Sequence, residues 1–192
     1  MNNAEQIADW NGDQGQRWAD HQALLDRMIR PFGDAALRAA AAQPGERVLD
    51  VGSGGGVPGA ILAIVRSDLE VTLSDSVAKK ARALEEIVRS CGVAVRVCHA
   101  PAQTLLEEER FDTLTARAVA PISKLLTWFA PHWDNFNRLL IIKGPAWVEE
   151  RAAARSAGLL RSLELRKLCS YPLPGTESES VILSIRPKDQ AE

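Results

Sequence analysis

The chain has 192 residues, of which 46% are hydrophobic and 25% are charged, and its formal net charge is −2. This length allows one domain with a sizeable core, and the near-neutral charge excludes a strong overall attraction to nucleic acid, although it does not exclude a local basic patch. No apolar run is long enough to span a bilayer, and the first ten residues lack the pattern of a signal peptide. Three widely separated cysteines fit a reducing compartment and show no metal-type spacing, so we expect a cytoplasmic protein without a bound metal or a membrane partner.

The predicted elements begin with helices ahead of the first strand. Apolar residues between positions 14 and 42 recur at three- and four-residue steps, which is typical of amphipathic helices. The run Pro31-Phe32-Gly33 divides this stretch in two. We therefore predict an N-terminal helical cap over residues 1–43, packed on a sheet and partly roofing a ligand site. One compact domain is predicted to follow over residues 44–192.

Residues 48–59 form the most informative motif of the chain, a predicted strand, a glycine loop and the start of a helix. Val48, Leu49 and Val51 form a short apolar run, as in a strand covered on both faces. Pro58 suits the first turn of a helix that continues from Ala60 to Val65. The glycines between permit positive φ angles and close approach of a ligand to the backbone; they are Gly52, Gly54, Gly55 and Gly56. Such a loop presents unpaired amides at the carboxyl end of a strand, so we predict a ligand site here.

Two kinds of ligand fit this loop. Gly54, Gly56 and Gly59 match the G-x-G-x-x-G pattern of dinucleotide-binding proteins. Asp50 favours another ligand, because a carboxylate at the strand end would repel a pyrophosphate but can accept a hydrogen bond from an α-ammonium group, directly or through water. S-adenosylmethionine carries such a group, and the D-x-G-x-G-x-G spacing resembles motif I of the class I methyltransferases that use it.

The second predicted strand, Leu69 to Leu73, leads into Ser74-Asp75-Ser76. A carboxylate at this place can accept hydrogen bonds from both hydroxyls of a ribose, so Asp75 supports a cofactor that contains adenosine. The alternative is that Asp75 or Ser76 only caps the next helix. Both roles can hold, with Ser76 as the cap.

The middle of the chain continues the alternation of helix and strand. A helix is predicted from Ala78 to Cys91, and strands from Val93 to Cys98 and from Phe111 to Ala116. The helix carries a basic face formed by Lys79, Lys80, Arg82 and Arg89. This face could contact RNA phosphates, but the simpler interpretation is a solvent-exposed surface. The loop after the third strand would lie beside the adenine. Backbone groups of this loop and Gln103 would form hydrogen bonds with the edge of the base.

Two cations stand at the carboxyl ends of later strands. Arg117 follows the fourth strand, where a guanidinium can stack on a base, pair with a phosphate or bind the cofactor carboxylate, with an internal ion pair as the alternative. Lys143 follows the fifth strand, Leu139 to Ile142, and its ammonium is predicted to point into the same crevice. The fourth strand is not followed by the Asn/Asp-Pro-Pro-aromatic tetrapeptide typical of exocyclic-amine methyltransferases, nor by the cysteine that cytosine C5 chemistry needs.

The last part of the chain completes the predicted fold. A helix opens at Pro145, and the strands Leu163 to Cys169 and Ser180 to Ile185 form a reversed hairpin at one sheet edge. The fold class is therefore α/β. We predict a Rossmann-like class I methyltransferase fold, with a seven-stranded, mostly parallel sheet, an antiparallel last strand and helices on both faces.

From about Val48 to Pro187 the chain resembles the RsmG (glucose-inhibited division protein B, GidB) family. The stretches that carry the resemblance are Asp50 to Gly59, Leu73 to Ser76 with Lys79-Lys80, Ala116 to Ala120, and Lys143-Gly144. Members transfer a methyl group from S-adenosyl-L-methionine to N7 of a guanosine in 16S ribosomal RNA. The resemblance implies small-subunit ribosomal RNA as the partner. It also implies cofactor contacts from Gly52, Val57, Ala102, Gln103 and Arg117, with Asp75 on the ribose. From the glycine motif itself we predict that Asp50 and Gly54 also bind the cofactor.

This chemistry suits the cations at the predicted crevice. Guanine N7 has an in-plane lone pair, so methyl transfer needs alignment and exclusion of water more than a general base. We hypothesise that Arg117 orients donor or base and that Lys143 holds an RNA phosphate or the guanine O6. Three alternatives stay open: a small-molecule methyltransferase of the same fold, a nicotinamide-binding oxidoreductase, and a binding module that kept the pocket without activity.

Overall fold

The structure, a computed structural model, describes residues 41–172 and 178–190. Its strands are β1 Arg47–Val51, β2 Glu70–Ser74, β3 Arg96–Cys98, β4 Thr113–Arg117, β5 Arg138–Lys143, β6 Leu163–Pro172 and β7 Glu179–Pro187. Its α-helices are α1 Gly59–Val65, α2 Ala78–Ser90, α3 Ala102–Glu108, α4 Ile122–Phe129 and α5 Trp147–Ser156, and short 3-10 helices span Ala130–Asn135 and Lys188–Gln190. The predicted N-terminal cap, apart from residues 41–43, lies outside the described residues.

The strands form one seven-stranded sheet in the order β3-β2-β1-β4-β5-β7-β6. Strands β1 to β5 pair in parallel, whereas β7 is antiparallel to both of its neighbours, β5 and β6. The strand order reverses between β1 and β4, which is the place where open α/β sheets bind ligands. This architecture confirms the predicted Rossmann-like fold class.

Helices cover both faces of the sheet. Leu49 and Val51 belong to a large apolar cluster that includes residues of α3, α4 and α5. Val48, which points to the opposite face because successive strand residues alternate, belongs to a smaller cluster with residues of α1 and α2. No helix in the described part of the chain is long and apolar enough to cross a membrane.

The structure differs from the prediction mainly after β3. The segment from Ala102 to Glu108 is a helix, where only a loop beside the adenine was predicted. Its apolar stripe spans two turns, which is too short to stand out as a helical period in the sequence. β3 begins at Arg96 rather than at Val93, because only three of its residues pair with β2.

Close packing at Gly59 fixes α1 against the sheet. A Cβ atom at this position would lie 2.4 Å from Cδ2 of Leu73 and 2.5 Å from Cβ of Asp50. Pro58, predicted within the first turn, is instead the residue that precedes the helix. The absence of a side chain at Gly59 therefore brings the first turn of α1 directly over the end of β1.

Replacing Gly59 by Ala should destabilise the protein by at least about 2 kcal/mol, because the new methyl group overlaps atoms that the sheet holds in place. Gly55→Ala is the matched control from the same loop, since a Cβ there meets no atom within 4 Å. Urea denaturation of the two variants measures the difference. Equal stabilities would show that α1 does not depend on this close approach.

Candidate active site

The carboxyl ends of five parallel strands bring the predicted site residues to one edge of the sheet. The β1 residue Val51 pairs with Ser74 of β2 and with Ala116 of β4. Arg117 pairs in turn with Ile142 of β5. The residues that follow these strand ends therefore meet at the edge where open α/β sheets have their ligand crevice; they are Gly52, Asp75, Ala118 and Gly144.

The glycine loop is held by backbone hydrogen bonds on its sheet side. The Ser53 amide donates to the carbonyl oxygen of Ser74 at 2.9 Å, and the Gly56 amide donates to the carbonyl of Ser53 at 2.7 Å. Gly52 has a φ of 61°, and a Cβ atom there would lie 3.1 Å from Cγ2 of Val119. Both its left-handed backbone and this close neighbour require glycine at the start of the loop.

Asp50 is a buried carboxylate beneath this loop. It has no exposed surface, and its Oδ1 accepts a hydrogen bond of 2.6 Å from the Thr115 hydroxyl. The Gly59 amide is near enough to favour the charged form, yet Oδ2 has no partner with hydrogen-bond geometry among the described residues. The loop thus covers a carboxylate oxygen that is unpaired in the described structure.

Burial raises the pKa of Asp50 from 3.8 to about 6. The hydrogen bond from Thr115, the nearby Ser53 hydroxyl and Gly59 amide, and the charge of Arg117 act in the opposite direction. The carboxylate is therefore mostly ionised at pH 7, and its negative charge favours a cation near the loop. Because the side chain is fully buried, Asp50 can reach a ligand ammonium through a bridging water, or directly after a small movement of the loop.

Asp75 joins the loop to the start of α2. Its Oδ2 accepts from the Gly54 amide at 3.1 Å, and its Oδ1 accepts from the Val77 amide at 2.9 Å. The prediction that Ser76 caps α2 is wrong, because the helix starts after Val77, no side chain caps it, and Asp75 takes the Val77 amide. Each carboxylate oxygen retains a second lone pair, so these bonds leave capacity for ribose hydroxyls.

Arg117 lies across the crevice from the loop. Its side chain is exposed, and its Nε donates to the carbonyl oxygen of Val57 at 3.2 Å. This contact links the end of β4 to the far end of the glycine loop. The remaining nitrogens of the guanidinium are free to reach a ligand in the crevice, since no other hydrogen bond is formed by Arg117 within the described residues.

Lys143 does not point freely into the crevice. Its Nζ donates to the Ala120 carbonyl oxygen at 2.7 Å and forms an ion pair of 2.7 Å with Oε2 of Glu150, and only 11% of its side chain is exposed. The substrate contact predicted for Lys143 stays a prediction, and this arrangement favours a structural role. Glu150 is not among the predicted site residues, and its one signal in the sequence is an acidic position in the first turn of α5.

The remaining predicted contacts lie around the same edge. Val57 is 40% exposed on the glycine loop, whereas Ala102 is buried at the start of α3. Gln103, beside it, is half-buried. Within residues 41–172 and 178–190, no cluster of three His, Cys, Asp or Glu side chains could hold a metal ion.

Comparison with known proteins assigns the family. A family model described as rRNA small subunit methyltransferase G (GidB) matches residues 8–172. The chain belongs to this family. The resemblance to RsmG seen in the glycine loop and after β4 is therefore confirmed, as is S-adenosyl-L-methionine as the predicted cofactor.

A curated RsmG-family relative, the ribosomal RNA small subunit methyltransferase G of Rhodopirellula baltica, is 47% identical over 152 residues. The match covers 79% of this chain and 66% of that protein, so the chain spans about two thirds of the relative's length.

Two solved structures share the fold. An rRNA methylase from Streptococcus thermophilus superposes with a TM-score of 0.56 at 15% identity, covering 80% of this chain and 93% of that one. A mutant of MtNAS in complex with S-adenosylmethionine gives a TM-score of 0.60 at 17% identity, with coverages of 84% and 62%. At these identities the two structures support the fold alone.

Asp50 should make the stability of the ligand-free protein depend on pH. Between pH 3.8 and about 6 the folded state keeps a proton that the unfolded state has lost, so stability falls as pH rises through this window and levels off above it. As pH rises from 3.8 to above 6, the free energy of unfolding of Asp50→Asn should increase by about 3 kcal/mol relative to that of the wild type, because the amide is never charged. Urea titrations of both proteins from pH 4 to 8 measure this difference, and parallel curves would contradict a buried ionised Asp50.

Proposed function

We propose that this RsmG-family chain is an S-adenosylmethionine-dependent methyltransferase that methylates N7 of a guanosine in small-subunit ribosomal RNA. The observation that carries the proposal is the buried Asp50 carboxylate, with its unpaired Oδ2, beneath a glycine loop. Family membership supports ribosomal RNA as the substrate class. The choice of N7 rests on the sequence resemblance and on the chemistry of the crevice.

The residues at the sheet edge fit this cofactor. The negative charge of Asp50 matches the ammonium of the methionine part, and the open space at Gly55, where a Cβ would meet nothing within 4 Å, admits a ligand close to the backbone. Asp75 would hold the ribose hydroxyls through the lone pairs that the amides leave unused. Ala102 and Gln103, at the start of α3, would lie beside the adenine.

When bound, the cofactor supplies an electrophilic methyl group on a sulfonium. The chain's own residues need to orient the acceptor and keep water away, since guanine N7 already presents its lone pair. Arg117 is the exposed cation at the mouth of the crevice, so it would hold an RNA phosphate or the guanine O6 while N7 stays free for attack. This assigns alignment, rather than proton transfer, as the contribution of Arg117.

The test is methyl transfer from labelled S-adenosylmethionine to three substrates: naked 16S ribosomal RNA, the isolated small subunit and the intact ribosome. Nucleoside digestion of the product should yield 7-methylguanosine from at least one of them. A different methylated nucleoside would refute the N7 assignment. Absence of transfer to all three, together with methylation of a small molecule, would refute the ribosomal RNA substrate.

Arg117→Ala should lower the rate of transfer by about a hundredfold or more, because the acceptor loses the cation that aligns it. Arg155→Ala is the matched control, since Arg155 is exposed in the last turn of α5, remote from the carboxyl edge of the sheet. Circular dichroism would verify that both variants are folded. Wild-type turnover in folded Arg117→Ala would remove the role given to this residue.

A further inference from the structure

Lys143 and Glu150 form a partly buried ion pair behind the crevice. Oε2 of Glu150 accepts from Nζ of Lys143 at 2.7 Å and from the backbone amide of Ile122 at 2.8 Å. The same Nζ donates to the carbonyl oxygen of Ala120. Lys143 on β5 and Glu150 on α5 thus form hydrogen bonds with the backbone on both sides of Pro121.

These contacts hold the β4–α4 loop, residues 118–121. Glu150 supplies the start of α4 with a hydrogen-bond partner that no side chain of α4 provides, and its negative charge lies where a helix N-terminus favours it. The other side of the loop faces the glycine loop, where Val119 packs against Gly52 and Arg117 bonds to Val57. The loop therefore connects the ion pair to the cofactor crevice.

The backbone of this loop needs an external restraint. Ala118 has a φ of 56°, a left-handed conformation that costs a residue with a Cβ energy and persists only where the surroundings enforce it. The ion pair holds the carbonyl of Ala120, within the loop, and the amide of Ile122, the first residue of α4. Loss of the pair would let Ala118 relax and would carry Val119 away from the glycine loop.

We propose that Lys143 and Glu150 are positioning residues that set the affinity for S-adenosylmethionine through the β4–α4 loop. This inference rests on the proposed function, but it concerns cofactor binding and requires no RNA. Lys143 then supports the loop instead of contacting RNA. Glu150 acts with it, although within the described residues its carboxylate bonds to Lys143 and Ile122 and not to the glycine loop or Asp75.

Binding of S-adenosylhomocysteine in the absence of RNA tests the proposal, by calorimetry at 15 °C on the full chain. Glu150→Ala and Lys143→Met should each weaken binding by about tenfold, since each removes charged hydrogen bonds that hold the loop. Glu150→Gln keeps an acceptor for the Ile122 amide, so it should recover part of the affinity. The double variant Lys143→Met/Glu150→Ala should bind no more weakly than the worse single variant, because both act on one element.

Glu46→Gln is the matched control. Glu46 forms a comparable ion pair of 3.1 Å with Arg138 and also bonds to Thr113, but these residues lie at the amino ends of the strands. Its substitution should lower the melting temperature as Glu150→Gln does while leaving the dissociation constant unchanged.

The outcomes separate this inference from the proposed function. Wild-type affinity in folded Lys143→Met and Glu150→Ala would overturn the inference alone, and if transfer to RNA were then lost, Lys143 would act on the substrate instead. An equal loss of affinity in Glu46→Gln would also overturn it, because the effect would then be one of general stability. A wild type that binds no S-adenosylhomocysteine would refute both the inference and the proposed function.

Discussion

The burial of one ionised carboxylate against the first helix is the constraint on which the crevice depends. Gly59 allows α1 to approach Asp50 within van der Waals distance, and no larger residue fits there. The carboxylate receives one strong hydrogen bond, from Thr115, and keeps an oxygen without a partner in the described structure. A buried charge that is only partly compensated is costly, so its retention beneath a glycine loop fits a protein that binds a cation there.

A second constraint is the geometry between the glycine loop and the loop after β4. These segments follow adjacent strands on either side of the point where the strand order reverses, so a ligand bound there would contact both. Val119 and Arg117 span the gap, and the pair formed by Lys143 and Glu150 bonds to the backbone that follows them, at Ala120 and Ile122. The two cations at this edge thus differ in kind, since one faces solvent and the other is largely enclosed.

The sequence predicted the parts of the site that depend on local pattern. A buried strand, a glycine loop and acids after two strand ends specify their own positions, and Asp50 and Asp75 lie at the predicted edge. The partner of Lys143 could not be predicted, because the contact with Glu150 depends on how α5 packs beside α4. Likewise, only the geometry of the turn decides that Asp75, rather than Ser76, takes the Val77 amide.

A crystal structure of the full chain with S-adenosylhomocysteine would test the position of the cofactor most directly. We expect the ribose hydroxyls within hydrogen-bond distance of the Asp75 carboxylate and the amino group over the glycine loop, on the side nearest Asp50. Methionine and ribose parts placed away from both aspartates, or a ligand bound outside the carboxyl edge of the sheet, would contradict it.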